Sequence, residues 1–223
     1  MPGILALVGG GEFEDGCSFD RTLLDAAGTD EVLVVPTAAA FEHPHRLVEK
    51  ATAWFAGLGA TVTELPVLKR PDAMDETHAE TVRAAKLVYL VGLNPMHLRS
   101  VLKDAPVWDA IVDTWLGGAV LAGSMAGAMA LTDPMVDPRG GAFTVGLGVV
   151  APLAVIPGVD QWSEDKVHRT RVLAPKAIPV AGIEQRTALL RHPDGTWAVE
   201  GAGTVKVWLA GDPAELSVLP GTD

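Results

Sequence analysis

The residues best placed for chemistry lie within 119–131, where an apolar run meets a cluster of small residues. Segment 123–127 begins and ends with glycine and has Ser124 and Met125 between them. Small residues two positions before and after a reactive residue are typical of a nucleophile elbow, the sharp strand-to-helix turn used in acyl transfer. The N-terminus of the following helix would stabilise developing negative charge. The pattern therefore predicts an elbow centred on Met125, whose thioether is not an acyl-transfer nucleophile.

Ser124 allows a second interpretation of the same turn. Shifted by one residue, the turn still has small residues on both sides, Ala122 and Ala126, so a serine nucleophile is sterically allowed. In the first interpretation Ser124 only occupies the variable position of the elbow and hydrogen-bonds locally. We favour the first interpretation and keep Ser124 as a candidate nucleophile, for which His168 is the candidate base.

The remaining candidate groups give weaker signals. Cys17 is followed and preceded by carboxylates, which oppose thiolate formation, so we expect an unreactive thiol. His43 and His45 flank a proline at a loop-to-helix junction, where surface or capping use is more common than metal binding. The sequence predicts neither a metal site nor a cofactor.

Composition restricts the class of partner. The chain has 223 residues, a formal net charge of −11 and one cysteine. Nucleic acids and anionic membranes need a basic surface, so neither is expected as the main partner. A single thiol forms no internal disulfide and indicates a reducing compartment, which we take to be the cytoplasm. No segment resembles a targeting signal or a membrane span.

The elements that would position the elbow alternate between strand and helix over the first 130 residues. The predicted strands are 4–8, 31–35, 61–67, 86–91 and 119–122, and the predicted helices are 43–58, 75–85, 95–102, 106–116 and 126–131. Strands that are apolar throughout indicate a parallel sheet covered on both faces. The second half has strand-like runs, with a hairpin turn at 192–196, and we expect them to extend one edge of that sheet. The prediction is one domain over 1–223, a three-layer α/β sandwich with a mainly parallel, doubly wound sheet.

Several short motifs, taken in order, resemble one known family. Segment 123–128 is similar to its Gly-x-Ser-Ala-Gly-Ala elbow, and 9–12 and 35–39 resemble the ends of its first two strands. Segment 91–94 stands where the family has a Gly-Gly-Asn/Asp turn, and 182–188 resembles Gly-Ile-Asp-Glu-x-Thr-Ala. The chain is thus identified as similar to the peptidase E and cyanophycinase family of serine peptidases, which has a class I glutamine amidotransferase-like fold.

The resemblance also implies where the reactive residues would be. Met125 stands at the nucleophile position, and Trp162 stands at the position of the catalytic histidine. Leu93 replaces a glycine in the turn that supplies an oxyanion-hole amide. The ligand-binding residues implied by matching positions are Gly11, Glu12, Gly92, Leu93, Asn94, Ala126, Asp160 and Arg171.

Three functional hypotheses follow. A serine without a base, or a base without a serine, is a poor catalyst, so loss of both indicates a pseudoenzyme that binds a small amino-acid-like or peptide-like ligand or acts as a subunit. The second hypothesis is an active hydrolase of Asp-containing dipeptides that uses Ser124. The third is a lyase or isomerase on the same scaffold. The resemblance also implies a homodimer.

Overall fold

Residues 1–221, which the computed structural model describes, form thirteen strands and eight helices. The strands are β1 (Leu5–Val8), β2 (Glu31–Ala38), β3 (Thr61–Glu64), β4 (Leu87–Gly92), β5 (Val120–Ser124), β6 (Met135–Val136), β7 (Phe143–Thr144), β8 (Ala154–Pro157), β9 (Val180–Ile183), β10 (Thr187–Arg191), β11 (Trp197–Gly201), β12 (Val205–Leu209) and β13 (Asp212–Ala214). The helices are α1 (Phe19–Ala27), α2 (Pro44–Gly57), α3 (Arg70–Ala73), α4 (Glu76–Ala84), α5 (Pro95–Leu102), α6 (Pro106–Leu116), α7 (Ala126–Leu131) and α8 (Glu164–Leu173).

A seven-stranded sheet of order β11-β10-β1-β5-β4-β2-β3 forms the centre of the fold. The five strands from the first half are parallel, whereas β10 and β11 join the β1 edge antiparallel. Helices cover both faces, since β1 directs Leu5 and Leu7 into one hydrophobic cluster and Ala6 and Val8 into the other. The predicted α/β architecture with a mainly parallel sheet is confirmed.

The second half differs from its prediction in one respect. Its strands do not all extend the edge of the central sheet, because β13, β12, β9 and β8 form a separate four-stranded sheet, and β6 pairs only with β7. The predicted hairpin turn at 192–196 does join β10 to β11, with the carboxylate of Asp194 accepting the backbone N–H of Thr196 at 3.0 Å. The second sheet packs into the same hydrophobic cluster as α5, α6 and α7.

Helix ends follow local signals where such signals exist. α5 and α6 begin with proline at the first turn and have the predicted bounds, and Asn94 caps α5 by accepting the His97 N–H at 2.9 Å.

The sequence analysis did not predict helix α8. Only Thr170 of α8 is buried, so the helix carries no apolar periodicity to reveal it, although Ser163 caps its N-terminus by accepting the Lys166 N–H. Within 1–221 no helix is both long and apolar enough to span a membrane.

The turn between β5 and α7 depends on close contact with β4. A Cβ atom at Gly127 would lie 2.5 Å from the carbonyl oxygen of Leu90, closer than any real side chain allows. Leu90 belongs to a central strand and cannot move aside without disturbing its ladder. Gly127 therefore sets the distance at which α7 crosses the sheet.

Replacing Gly127 by alanine is expected to lower the free energy of unfolding by about 2 kcal/mol or more, because the new methyl group overpacks this contact. Gly57→Ala is the matched control, since nothing lies within 4 Å of a Cβ there and the residue ends α2. That variant is expected to be neutral or stabilised by up to about 1 kcal/mol. Urea unfolding measures both, and equal stabilities of the two variants would contradict the packing argument.

Helix α1 buries a carboxyl group against α2. Asp20 has no exposed surface, and its Oδ2 accepts the Trp54 Nε1–H at 2.8 Å. Burial raises the pKa of Asp20 to about 7, against the opposing effect of the Trp54 hydrogen bond. The folded protein therefore holds this proton well above the pH at which an unfolded chain releases it.

Stability is accordingly expected to fall as pH rises from about 4 to 7, because the unfolded chain loses the Asp20 proton across this window and the folded chain keeps it. Asp20→Asn retains an acceptor for Trp54 and is expected to flatten this part of the profile of unfolding free energy against pH. Asp25→Asn, at an exposed position of the same helix, serves as control. A wild-type slope unchanged by Asp20→Asn would refute the assignment.

Candidate functional site

The strained turn of the elbow lies at Met125. Its backbone has φ 49° and ψ −106°, an uncommon conformation for a residue with a side chain, and its N–H donates to the Val8 carbonyl at 3.1 Å. Gly123 is required because a Cβ there would lie 2.7 Å from the carbonyl carbon of Gly127. The residue presented by this turn is Met125, while Ser124 is the last residue of β5.

The side chain of Met125 packs against two glycine turns. A Cβ at Gly10, just after β1, would lie 2.4 Å from the Met125 sulfur, and a Cβ at Gly158, just after β8, would lie 3.7 Å from it. Both glycines have positive φ. The half-buried thioether thus fills the space above the elbow, and it has no proton to give or lose.

Ser124 faces into the protein interior. It has no exposed surface, and its Oγ–H donates to Glu12 Oε2 at 2.8 Å. Glu12 is itself buried, since only 8% of its surface is exposed. The structure therefore joins Ser124 to Glu12, 112 residues away in sequence, and does not join it to His168.

The turn after β4 is fastened to the end of β2. Gly92 has φ 124°, and a Cβ there would lie 2.3 Å from the backbone of Ala38 and Ala39. The N–H groups of Leu93 and Asn94 both donate to the Ala38 carbonyl, at 3.2 and 3.0 Å. Two amides of the turn implied to supply an oxyanion-hole donor are thus already hydrogen-bonded within the fold.

Four of the predicted site residues meet in a cavity of about 610 Å³ between α8 and the second sheet, a volume typical of small-ligand sites. They are Asp160, Trp162, His168 and Arg171. Its further lining residues are Val159, Glu164, Asp165, Val167, Lys206 and Trp208.

The Arg171 guanidinium lines the cavity beside Trp208. Its Cζ lies 5.9 Å from the centre of the Trp208 ring, and its buried Nε has no hydrogen-bond partner. An unpaired buried donor is costly, so this nitrogen is a polar group that the described fold leaves unsatisfied.

Two other members of this cavity are already engaged. Burial opposes ionisation of Asp160, but hydrogen bonds from Gln161 and the Gln185 backbone outweigh it and lower its pKa. The Lys166 ammonium lies 3.4 Å from the centre of the Trp162 ring, a cation–π contact. The Trp162 indole carries no basic nitrogen, so it cannot serve as a general base.

Glu12, Gly92 and Leu93 line a separate cavity of about 320 Å³ next to α2. Its other lining residues are Ala39, Glu42, His43, Arg46, Leu47 and Lys50. Gly11, Asn94 and Ala126 line neither cavity. The predicted ligand-binding set is therefore divided between two places.

The sequence analysis did not single out four residues that line the two cavities. Lys206 and Trp208 lie two positions apart on β12 and line the larger cavity, and Arg46 and Lys50 lie one turn apart on α2 and line the smaller one. Two-residue spacing on a strand puts the first pair on one face, which was the available signal. Nothing in the local sequence of α2 distinguishes Arg46 and Lys50 from ordinary surface cations.

Other groups noted in the sequence carry no separate site. Burial, with contributions from Asp20 and Glu12, raises the pKa of Cys17 to about 11, as expected for an unreactive thiol. His43 and His45 lie with ring centres 5.9 Å apart. In the described part of the chain no group of three or more His, Cys, Asp or Glu side chains could hold a metal ion.

Comparison with known proteins finds cyanophycinases among the relatives of this chain. The chain is 26% identical to a cyanophycinase of Nostoc sp. over 224 residues, which covers 95% of this chain and 74% of that protein. A cyanophycinase of Geminocystis herdmanii is 25% identical over 200 residues, covering 82% and 71%.

Solved structures agree with these relatives. A peptidase from an acI-B1 Actinobacterium matches with a TM-score of 0.85 and 30% identity, over 96% of this chain and 93% of that one. A putative peptidase E from Listeria monocytogenes EGD-e shares the fold, with a TM-score of 0.70 and 17% identity over 91% and 100%. The model of Peptidase family S51 matches residues 5–196, and the chain belongs to that family.

Proposed function

We propose that this family member does not carry out the serine-peptidase reaction and instead binds a small, carboxylate-bearing amino-acid-like or peptide-like ligand. The observation that carries the proposal is the thioether of Met125 at the strained turn, packed against Gly10 and Gly158. Met125 is the elbow residue whose side chain this turn directs outward from the strand end.

Acyl transfer needs a nucleophile, a base and donors for the oxyanion, and removing one of them costs several orders of magnitude in rate. Here the nucleophile position is a thioether, and the base position is Trp162, stacked under Lys166. The amide of Leu93 is bonded to Ala38. The two replacements lie at independent positions, so together they support the absence of peptidase turnover more strongly than either one alone.

The larger cavity supports the binding part of the proposal. Arg171 lines this space beside Trp208, together with Lys206 and His168. A guanidinium is suited to a planar carboxylate, and an indole ring is suited to the apolar part of an amino acid or dipeptide. Lys206 reaches Glu184 only at 3.8 Å, so its ammonium retains capacity for an anion.

The two alternatives have less support. A hydrolase using Ser124 would need a hydroxyl that substrate can reach, whereas this one is fully buried on Glu12. A lyase or isomerase would need a base of raised pKa in the cavity. Hydrogen bonding instead lowers the pKa of Asp160, which makes this carboxylate a weaker base.

We expect no labelling by a fluorophosphonate probe and no hydrolysis of Asp-Xaa dipeptides by the wild-type protein, because the reactive position holds a thioether. Ser124→Ala is the matched control and is expected to give the same background in both assays. Labelling or turnover that the wild type shows and Ser124→Ala loses would establish Ser124 as a nucleophile and overturn the proposal.

N-acetyl-aspartate, which has carboxylates and no ammonium group, is expected to bind the wild-type protein in calorimetric titration. Arg171→Gln should weaken this binding by about tenfold or more, since a charge-assisted pair is lost. Arg169→Gln is the control, because Arg169 belongs to the same helix but does not line the cavity. Absence of binding at millimolar concentration, or equal affinity of the Arg171 variant, would contradict the proposed ligand site.

A further inference from the structure

The carboxylate of Glu12 has unused acceptor capacity. Only 8% of the residue is exposed, and Oε2 accepts the Ser124 hydroxyl at 2.8 Å. Oε1 accepts no hydrogen bond from any residue of 1–221. A side chain buried to this extent, with one carboxyl oxygen free of protein donors, is suited to a cationic donor from outside the protein.

Glu12 lines the smaller cavity, where the other charged groups are more exposed than Glu12. Arg46, Lys50 and Glu42 all lie on the surface, so they stand at the cavity's mouth while Glu12 stands at its closed side. The apolar part of the lining is formed by Ala39, Leu47 and the exposed Leu93. The cavity thus has the Glu12 carboxylate inside, an apolar wall, and two cations beside one carboxylate, Glu42, at its mouth.

The two cations at the mouth are available to a ligand. Arg46 and Lys50 are four residues apart on α2, so they project from one face of the helix. Arg46 has no ion pair within the described chain, and Lys50 reaches only Glu14, at 3.6 Å, where both side chains are nearly half exposed. An exposed pair of this kind contributes little, so Lys50 can exchange it for a ligand carboxylate.

We propose that the smaller cavity binds a free α-amino acid with an apolar side chain. The ammonium group donates to Glu12, the carboxylate lies against Arg46 and Lys50, and the side chain packs on Leu47 and Leu93. A volume of about 320 Å³ is near the lower end for ligand sites, which favours one residue over a longer peptide. This site is distinct from the cavity of Arg171 and goes beyond the function proposed above.

Three related probes test the charges of the ligand one at a time. Calorimetric titration at neutral pH should show binding of leucine by the wild-type protein and at least about tenfold weaker binding of N-acetyl-leucine, which has lost the ammonium charge. Leucinamide keeps the ammonium group and lacks the carboxylate. The affinity for leucinamide should be unchanged by Arg46→Ala, whereas the same substitution should weaken the binding of leucine.

Glu12→Gln is the decisive variant because its amide oxygen still accepts the Ser124 hydrogen bond while the charge is removed. It should weaken both leucine and leucinamide by about tenfold or more, whereas Glu49→Gln, exposed on α2 and outside the cavity, should leave both unchanged. Equal binding of leucine and N-acetyl-leucine by the wild type, or no leucine binding at millimolar concentration, would overturn the proposal even if Glu12→Gln fails to fold. N-acetyl-aspartate binding that persists in Glu12→Gln would show that the Arg171 site stands independently of this one.

Discussion

The close approach of β4, β5 and α7 is the constraint on which the rest of the site depends. Gly123 and Gly127 allow the strand, the turn and the helix to lie within van der Waals distance of each other, and Leu90 of β4 bounds them from the side. The chain enters this tightly packed helix through a residue of positive φ, a strained conformation that persists because the surrounding structure holds it. The strained conformation of residue 125 is thus imposed by packing and does not depend on whether the residue there is reactive.

The direction of the Met125 side chain follows from that backbone. It points across the carboxyl ends of the strands, where Gly10 and Gly158 leave room for it. One of these turns leads to Glu12 in the smaller cavity, and the other leads to Val159 and Asp160 in the larger cavity. Met125 therefore stands between a cavity with a buried anion and a cavity with a buried, unpaired guanidinium nitrogen.

The sequence predicted those parts of the fold that depend on local patterns. Apolar runs gave the parallel strands, and prolines at helix starts gave α5 and α6 with their observed bounds. The spacing of Gly123 and Gly127 predicted a turn centred on Met125, where the positive φ is found. The polar helix α8 escaped prediction because it buries so little that its sequence has no hydrophobic period.

The site was less predictable than the fold because its contacts join distant parts of the chain. The hydrogen bond from Ser124 to Glu12 spans 112 residues. The hydrogen bonds from the Leu93 and Asn94 amides to the Ala38 carbonyl depend on how β2 and β4 end side by side. No local pattern encodes either contact. The same holds for the separation of Glu12 and Arg171 into different cavities, one beside α2 and the other between α8 and β12.

The sparse burial of α8 has a consequence for motion. Segments with few buried contacts open at a small fraction of the free energy needed for global unfolding, and their amides exchange early with solvent. Thr170 is the one fully buried residue of α8, which supplies one wall of the larger cavity, so this wall is expected to open more readily than the opposite wall, β12, which belongs to a hydrogen-bonded sheet. A ligand held between them would order the helix as it binds, and part of its binding free energy would appear as slowed amide exchange along α8.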